Sequence, residues 1–476
     1  MSRKVMVLAA GVGAGHNMAA RAIEAELIAR GPAGGVAEVR RIDALDTTNE
    51  AFTRLYGDAY FTLVSEVPWL VAWGYDSQDP PFKVAPLMKW FEQANTTSLV
   101  REIRDFDPDV VICTHFLPAR LVSIMLARRQ LRATLSVVTT DFDFQGLWLT
   151  SPFTHMLVAR DETREYLRTL GIPGDRLIAS GIPVRPELSQ PLDADQVRAD
   201  FGLRPDLPVV VISAGAAGGD YALEIVRQAL RIGAGFQAVV VCGRNDDLRA
   251  RAERLASGHE NFHVLGFTDR LTELMRIAAL FVGKPGGLSS SECLAAGVPM
   301  VIINPIPGQE ERNSDYLLEE GAAVRCNYST TVGYKIGRLL ADPSRLGLMA
   351  ANARRIGRVD AAARVADSAL TGDLPPLWIS RNAQKSIQRV GTDGIAVSEL
   401  PGGSVLRRLV DPETGGSRAL VTEAELGVLG VAPGRNTVEL SRTWLRALQW
   451  QPENLTLAMA GKWMLDGADT ATFRID

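Results

Sequence analysis

Short apolar runs alternate with amphipathic helical stretches along most of this chain, and several of the runs end in glycine. Residues 5–10 (VMVLAA) lead into GVGAGH at 11–16 and then into a helical pattern over 17–30. Residues 109–114 (DVVICT), 135–140 (LSVVTT) and 155–159 repeat the apolar theme. A helix is predicted over 118–132, and DETREYLRTLG reads as a charged helix ended by Gly171. Such runs read as parallel strands buried on both faces, because the crossover helices cover them. The pattern restarts after the proline-rich stretch 181–208 with PVVVISAG, a helix over 221–232, FQAVVVCG, FHVLGF and ALFVGKPGG. A helix opening in SSSECLAAG and the run PMVIINP complete it. Two doubly wound units in series predict two Rossmann-like domains facing a cleft.

Beyond Leu374-Pro375-Pro376 the alternation stops, and short apolar segments lie between turns such as LPGG, PETGG and APGRN. This spacing predicts a small β-rich domain. The expected domains are therefore 1–186, 187–374 and 375–476. The chain carries 51 Lys+Arg against 55 Asp+Glu, a formal net charge of -4, which argues against a nucleic-acid partner. Four cysteines, Cys113, Cys242, Cys293 and Cys326, form no CxxC pair, so a structural zinc is not expected. No run reaches the roughly 18 apolar residues of a membrane span. A membrane partner would be met at its surface.

Several positions carry candidate chemistry. GVGAGH is not GxGxxG, because His16 fills the last position, and no ribose-binding acid stands out about 20 residues on. His16 falls where loop meets helix at a sheet's carboxyl edge, a place for a general base or for a cap. ISAGAAGGD at 212–220 can cradle a diphosphate but lacks the Lys-Ser/Thr of a P-loop. In KPGGLSSSECLAAGVP, Gly286 and Gly287 allow close backbone approach to phosphate. Glu292 follows about one turn into a helix, where a carboxylate can accept both ribose hydroxyls. PIPGQEERN is expected to present Gln309 and Glu310 on a loop suited to sugar hydroxyls. Residues 52–91 are dense in aromatics, including Trp69 and Trp73. They read either as a helical insert with its own core or as an acceptor groove or membrane-facing surface.

These motifs, in this order, resemble the monogalactosyldiacylglycerol synthase and processive diacylglycerol glycosyltransferase family. That family shares a superfamily with the lipid II N-acetylglucosaminyltransferase. The resemblance runs from about residue 5 to 369 and includes GxGAGHNMAARAI, TDFDFQGLW, SGIPVRP, VVVCGRN, VLGF, KPGGLSSSE and NPIPGQEERN. It implies a GT-B fold and an inverting, metal-independent enzyme. Such an enzyme moves glucose or galactose from a UDP-sugar, as co-substrate, to diacylglycerol or a glycosyl-diacylglycerol. It implies a cytoplasmic protein held peripherally on the inner face of the cell membrane. By position, His16 falls on the catalytic-loop histidine, and Asp141 lies at the cleft edge, able to orient His16 or the acceptor or to cap a turn. Phe267 and Thr268 fall on the loop that meets uracil, and Glu292 on the ribose ligand. Ser213, Gly215, Gly218, Gly286 and Gly287 fall on the diphosphate side, Gln309 and Glu310 on the sugar-reading loop, and Trp148 on the acceptor side. The family usually places a histidine a few residues before that tryptophan; here Gln145 stands instead. A different acceptor, such as a polyprenyl-linked sugar or a small metabolite, and a non-catalytic sugar-nucleotide sensor remain open alternatives. The last helix is expected to pack back on the N-terminal domain.

Overall fold

The computed structural model describes residues 2–11, 14–48, 97–170, 172–215, 221–233, 235–371, 374 and 376–379, together with the backbone of seven strands between Ile395 and Ile475. The aromatic-rich segment 52–91, with Trp69 and Trp73, and most of the 212–220 glycine turn, with Gly218, lie outside the described residues.

The first half builds a parallel sheet from β1 (Arg3–Ala9), β2 (Val36–Asp43), β3 (Val110–Cys113), β4 (Thr134–Val138), β5 (His155–Val158) and β6 (Leu177–Ala179), in the order β2-β1-β3-β4-β5-β6. Strand periodicity divides β1 between two cores. Met6 and Leu8 pack with Val111, Leu135 and Phe153, whereas Val5, Val7 and Ala9 pack with Ile23, Ile112 and Leu157. Both faces are thus apolar, which is why the run VMVLAA shows no alternation. The edge strand β2 is half-exposed, and its run VAEVRRID carries four charges that mask it in the sequence.

The second half repeats the plan with β7 (Val209–Ser213), β8 (Gln237–Val241), β9 (Phe262–Leu265), β10 (Leu280–Gly283), β11 (Met300–Ile303) and β12 (Ala323–Cys326), ordered β12-β11-β10-β7-β8-β9 and parallel throughout. In each sheet the chain winds one way, returns to the centre and winds the other way. The reversals lie between β1 and β3 and between β7 and β10. Crevices open at the carboxyl ends of strands at such switch points, and ligands bind there.

Two later segments return to the first half. Helix Ala361–Leu370 inserts Val365, Ala366 and Ala369 into the core of Val5 and Ile23, and Asp367 pairs with Arg30 at 2.6 Å. Strand β13 (Leu377–Trp378) bridges to Phe153, and Leu377 and Ile379 are buried with Phe153 and Leu135. Residues 377–379 therefore complete the first half's core, although the sequence groups them with the tail. β13 also pairs with the β-rich tail expected from the sequence. There β14 (Ile395–Glu399), β15 (Val405–Val410) and β16 (Ser417–Thr422) form an antiparallel set. Strand β17 (Thr437–Ser441) joins a second sheet, β18 (Leu455–Leu457) pairs with β16, and β19 (Gly461–Leu465) and β20 (Thr470–Ile475) complete the second sheet.

Candidate active site

His16 stands at the first switch point. Helix Ala14–Arg30 begins two residues before it, so the histidine occupies the first helical turn rather than the loop ahead of the helix. Asp43, at the end of β2, fastens this corner. Its carboxylate accepts the Gly11 N–H at 3.0 Å and the Asn17 amide at 2.6 Å. A Cβ on Gly11 would fall 2.6 Å from that carboxylate, which accounts for glycine there.

The imidazole has a defined hydrogen-bonding state. His16 Nδ1 lies 3.0 Å from the Thr114 carbonyl and 2.8 Å from Thr140 Oγ1. A carbonyl oxygen only accepts, so Nδ1 carries the proton and Nε2 keeps its lone pair. Thr114 Oγ1 returns a hydrogen bond to the His16 carbonyl at 3.0 Å. Desolvation lowers the ring's pKa to about 4, against smaller opposing effects of the Thr114 carbonyl and Asp43. The helix N-terminus also disfavours the imidazolium. The ring is therefore neutral at pH 7 and able to take a proton.

The segment after β4 joins this corner to the other half. Thr140 touches His16, but the next residue turns away. Asp141 accepts Gln309 Nε2 at 2.6 Å and Asn313 Nδ2 at 3.1 Å, and Asn313 Oδ1 accepts the Phe142 N–H at 2.9 Å. Asp141 thus spans the cleft, and the expected contact to His16 is made by Thr140. Burial raises the Asp141 pKa to about 6, although both amide hydrogen bonds favour its ionised form. Gln309 and Glu310 open helix Gln309–Glu319 instead of lying on the expected loop, and Glu310 accepts the Ile306 N–H at 2.7 Å. Burial raises the Glu310 pKa as well.

The second switch point faces His16. Ser213 Oγ accepts the Gly215 N–H at 3.3 Å, and Gly215 has φ +76°, a conformation glycine adopts without a Cβ clash. Gly286 caps helix Gly287–Ala296, whose N-terminal N–H groups suit a diphosphate. A Cβ on Gly287 would lie 1.8 Å from the Thr140 carbonyl, and one on Gly15 would lie 3.7 Å from Leu288. Gly287 is thus required by the contact between the halves, a reason the sequence did not disclose. Glu292 is 1% exposed. Its Oε1 lies 3.1 Å from Arg185 Nε, out of hydrogen-bonding alignment, and has no hydrogen-bond partner among the described residues. Burial raises the Glu292 pKa to about 7, more than Arg185 lowers it. At the rim Phe267 is exposed beneath Arg244, 5.0 Å from the ring centroid, and Thr268 Oγ1 accepts the Arg270 N–H at 3.1 Å.

Trp148 is buried, 6.2 Å from His16 and 6.3 Å from His115 between ring centroids. Gln145 caps the short turn Gly146–Trp148 through its side-chain oxygen, which accepts the Leu147 N–H at 2.9 Å. Sequence reasoning missed Asp43, Thr114, His115, Thr140, Arg185 and Asn313. Thr114, His115 and Thr140 carried a partial signal, as polar residues just after a buried strand, whereas Asp43, Arg185 and Asn313 carried none. Among the described residues no group of three or more His, Cys, Asp or Glu converges as metal ligands would.

Known structures share this architecture. A UDP-GlcNAc 2-epimerase from Neisseria meningitidis matches 78% of this chain and 100% of its own, with 15% identity and TM-score 0.52. MurG from Acinetobacter baumannii matches 77% of this chain and 99% of its own, with 18% identity and TM-score 0.50. The likeness to both is one of fold, the two Rossmann-like halves about a cleft that define the GT-B class. Sequence is more specific. Residues 16–184 match the monogalactosyldiacylglycerol (MGDG) synthase family, and residues 209–372 match the glycosyltransferase family 28 C-terminal domain. The chain is 26% identical over 377 residues to the processive diacylglycerol beta-glucosyltransferase of Bacillus mycoides, covering 77% of this chain and 93% of that one. It is 29% identical over 257 residues to the Bacillus licheniformis enzyme of that name, covering 53% of this chain and 66% of that one. The chain belongs to the family of monogalactosyldiacylglycerol synthases and processive diacylglycerol glycosyltransferases, and it is a UDP-sugar-dependent glycosyltransferase.

Proposed function

We propose that His16 is the general base of an inverting transfer of glucose or galactose from a UDP-sugar to diacylglycerol or a glycosyl-diacylglycerol. The observation that carries this reading is the neutral His16 ring, held through Nδ1 with Nε2 unprotonated, beside the donor helix. The acceptor O–H gives its proton to His16 Nε2 as its oxygen attacks the anomeric carbon from the face opposite UDP. The bond between that carbon and the diphosphate oxygen breaks, and UDP leaves with the electron pair. N–H groups at the start of helix Gly287–Ala296 face the charge that develops on the leaving diphosphate. Glu292 receives the ribose hydroxyls, with Ser213, Gly215, Gly218 and Gly286 on the diphosphate side. Phe267 and Thr268 meet the base, and Gln309 and Glu310 the sugar.

The relatives' names support glucose as donor sugar and repeated transfer onto the product. Among the described residues no helix is long and apolar enough to cross a membrane. Lipid is met at the inner face of the cell membrane, with segment 52–91 as the docking surface. A panel of UDP-sugars offered with diacylglycerol in mixed micelles, with products identified by mass spectrometry, tests the activity. Glycosyl-diacylglycerol is the expected product. Transfer to a polyprenyl-linked sugar or small metabolite alone would replace the acceptor. Replacing Trp69 and Trp73 with serine should lower liposome binding and leave UDP binding intact.

A further inference from the structure

We infer that His115, a neutral histidine beside the base, is an acceptor-binding residue that donates a hydrogen bond to an oxygen adjacent to the reacting hydroxyl. The inference rests on the assignment of His16 as base. His115 caps helix Phe116–Ala127, and its Nδ1 accepts the Leu117 N–H at 3.1 Å. The acceptor role of Nδ1 places the ring's proton on Nε2. None of the described residues accepts that N–H, and the residue is 3% exposed. A ligand oxygen that accepts this N–H adds a hydrogen bond to binding. Burial and the neighbouring His16 keep His115 neutral, so it remains a single-proton donor at Nε2.

The placement matches a polyol. The His115 and His16 rings meet edge to face, with centroids 4.6 Å apart and planes at 88°. Phe116 lies 4.2 Å from His115, and Trp148 lies 6.3 Å from His115 and 6.2 Å from His16, between ring centroids. One imidazole therefore offers a lone pair and its neighbour an N–H within one aromatic enclosure. A glycerol or sugar headgroup presents a hydroxyl beside a second oxygen, an ester oxygen or another hydroxyl. The hydroxyl addresses His16 and the second oxygen addresses His115, which keeps its proton throughout. Water has no second oxygen and gains nothing from His115.

Two isosteric substitutions separate this role from capping. His115→Asn retains an acceptor near the Nδ1 position and removes the Nε2 donor. His115→Gln retains a donor near Nε2 and weakens the cap. For each, transfer to diacylglycerol in mixed micelles, hydrolysis of the UDP-sugar by water, UDP affinity and melting temperature are measured beside wild type. We expect His115→Asn to keep its melting temperature and UDP affinity while its transfer-to-hydrolysis ratio falls about ten-fold. His115→Gln should melt earlier and largely keep the ratio. An active Asn variant with an inactive Gln variant, or an unchanged ratio in both, reduces His115 to a cap and overturns the inference. Should His115→Asn fail to fold, the Gln variant decides alone: a retained ratio supports the inference and a ten-fold fall overturns it. A wild type that hydrolyses UDP-sugar yet makes no lipid product overturns both this inference and the acceptor reading. A wrong role for His115 leaves wild-type transfer intact.

Discussion

His16 shows how a few contacts decide what a residue can do. A histidine after a glycine loop is equally a cap or a base; the Thr114 carbonyl at Nδ1 leaves Nε2 unprotonated, as the proposed base requires. His16→Ala should lose about 10²–10⁴ of the transfer rate while UDP still binds, measured by product formation and calorimetry. Near-normal turnover would return His16 to a capping role. Its pKa near 4 also sets a pH dependence. The base works unprotonated, so His16 itself should add an acid limb to kcat/KM only below about pH 5, beneath any limb from Asp141 at about 6 or Glu292 at about 7. Titration of the His16 ring itself near 6.5, followed by NMR, would mean a solvated ring. Stability has the same sign. The unfolded chain takes up this proton below about 6.5 and the folded chain only near 4, so stability is lost as pH falls through that window. Replacing His16 with Gln should reduce the drop in melting temperature between pH 7 and pH 5. On the donor side, Glu292→Ala should weaken UDP binding about ten-fold, because charge-assisted hydrogen bonds to ribose are worth about 1.5–3 kcal/mol. Unchanged affinity by calorimetry would remove Glu292 from the donor site.

At the scale of elements, the helix opening at Gly287 serves both halves. Its N-terminal N–H groups belong to the proposed donor site, while its first residue lies against the Thr140 carbonyl. Thr140 in turn holds His16. A methyl group at Gly287 would meet backbone at 1.8 Å, so either the helix or the Thr140 segment must retreat. Overpacking of this kind costs about 1–3 kcal/mol. Gly287→Ala should therefore lower the melting temperature and reduce transfer more than UDP affinity. Gly286→Ala is the gentler control for stability, since its nearest neighbour would be Glu310 Oε1 at 3.4 Å. Wild-type melting and turnover in Gly287→Ala would show that the contact opens without cost.

For the whole molecule, the ends of the catalytic unit matter. Helix Ala361–Leu370 and residues 377–379 cross from the second half to complete the first half's two cores. A chain ended after Ile379 should keep UDP binding and melt above one ended at Gly372. The shorter chain strips Leu377 and Ile379 from a core around Phe153, and burial of each such side chain contributes about 1.5–3 kcal/mol. Equal melting temperatures would place these residues outside the cooperative core. The cleft itself is spanned by Asp141 with Gln309 and Asn313. A donor sugar read by Gln309, as proposed, must share or displace the Asp141 contact.

By itself the sequence determined the two parallel sheets, the positions of His16 and Glu292, and a β-rich tail. These are local signals: apolar runs buried on both faces, glycines at strand ends, and motifs within a few residues of one another. It left β2, β6 and β12 unmarked, because a half-exposed, charged edge strand and strands of three or four residues carry little periodic signal. The tertiary structure alone decided what those motifs touch. Thr140 reaches His16 across 124 positions and Gln309 reaches Asp141 across 168. Their meeting depends on the reversal of strand order in both sheets and on the seating of one half against the other. Those long-range arrangements choose the tautomer of His16, turn Asp141 from His16 toward the opposite half, and make Gly287 a point of contact between the halves.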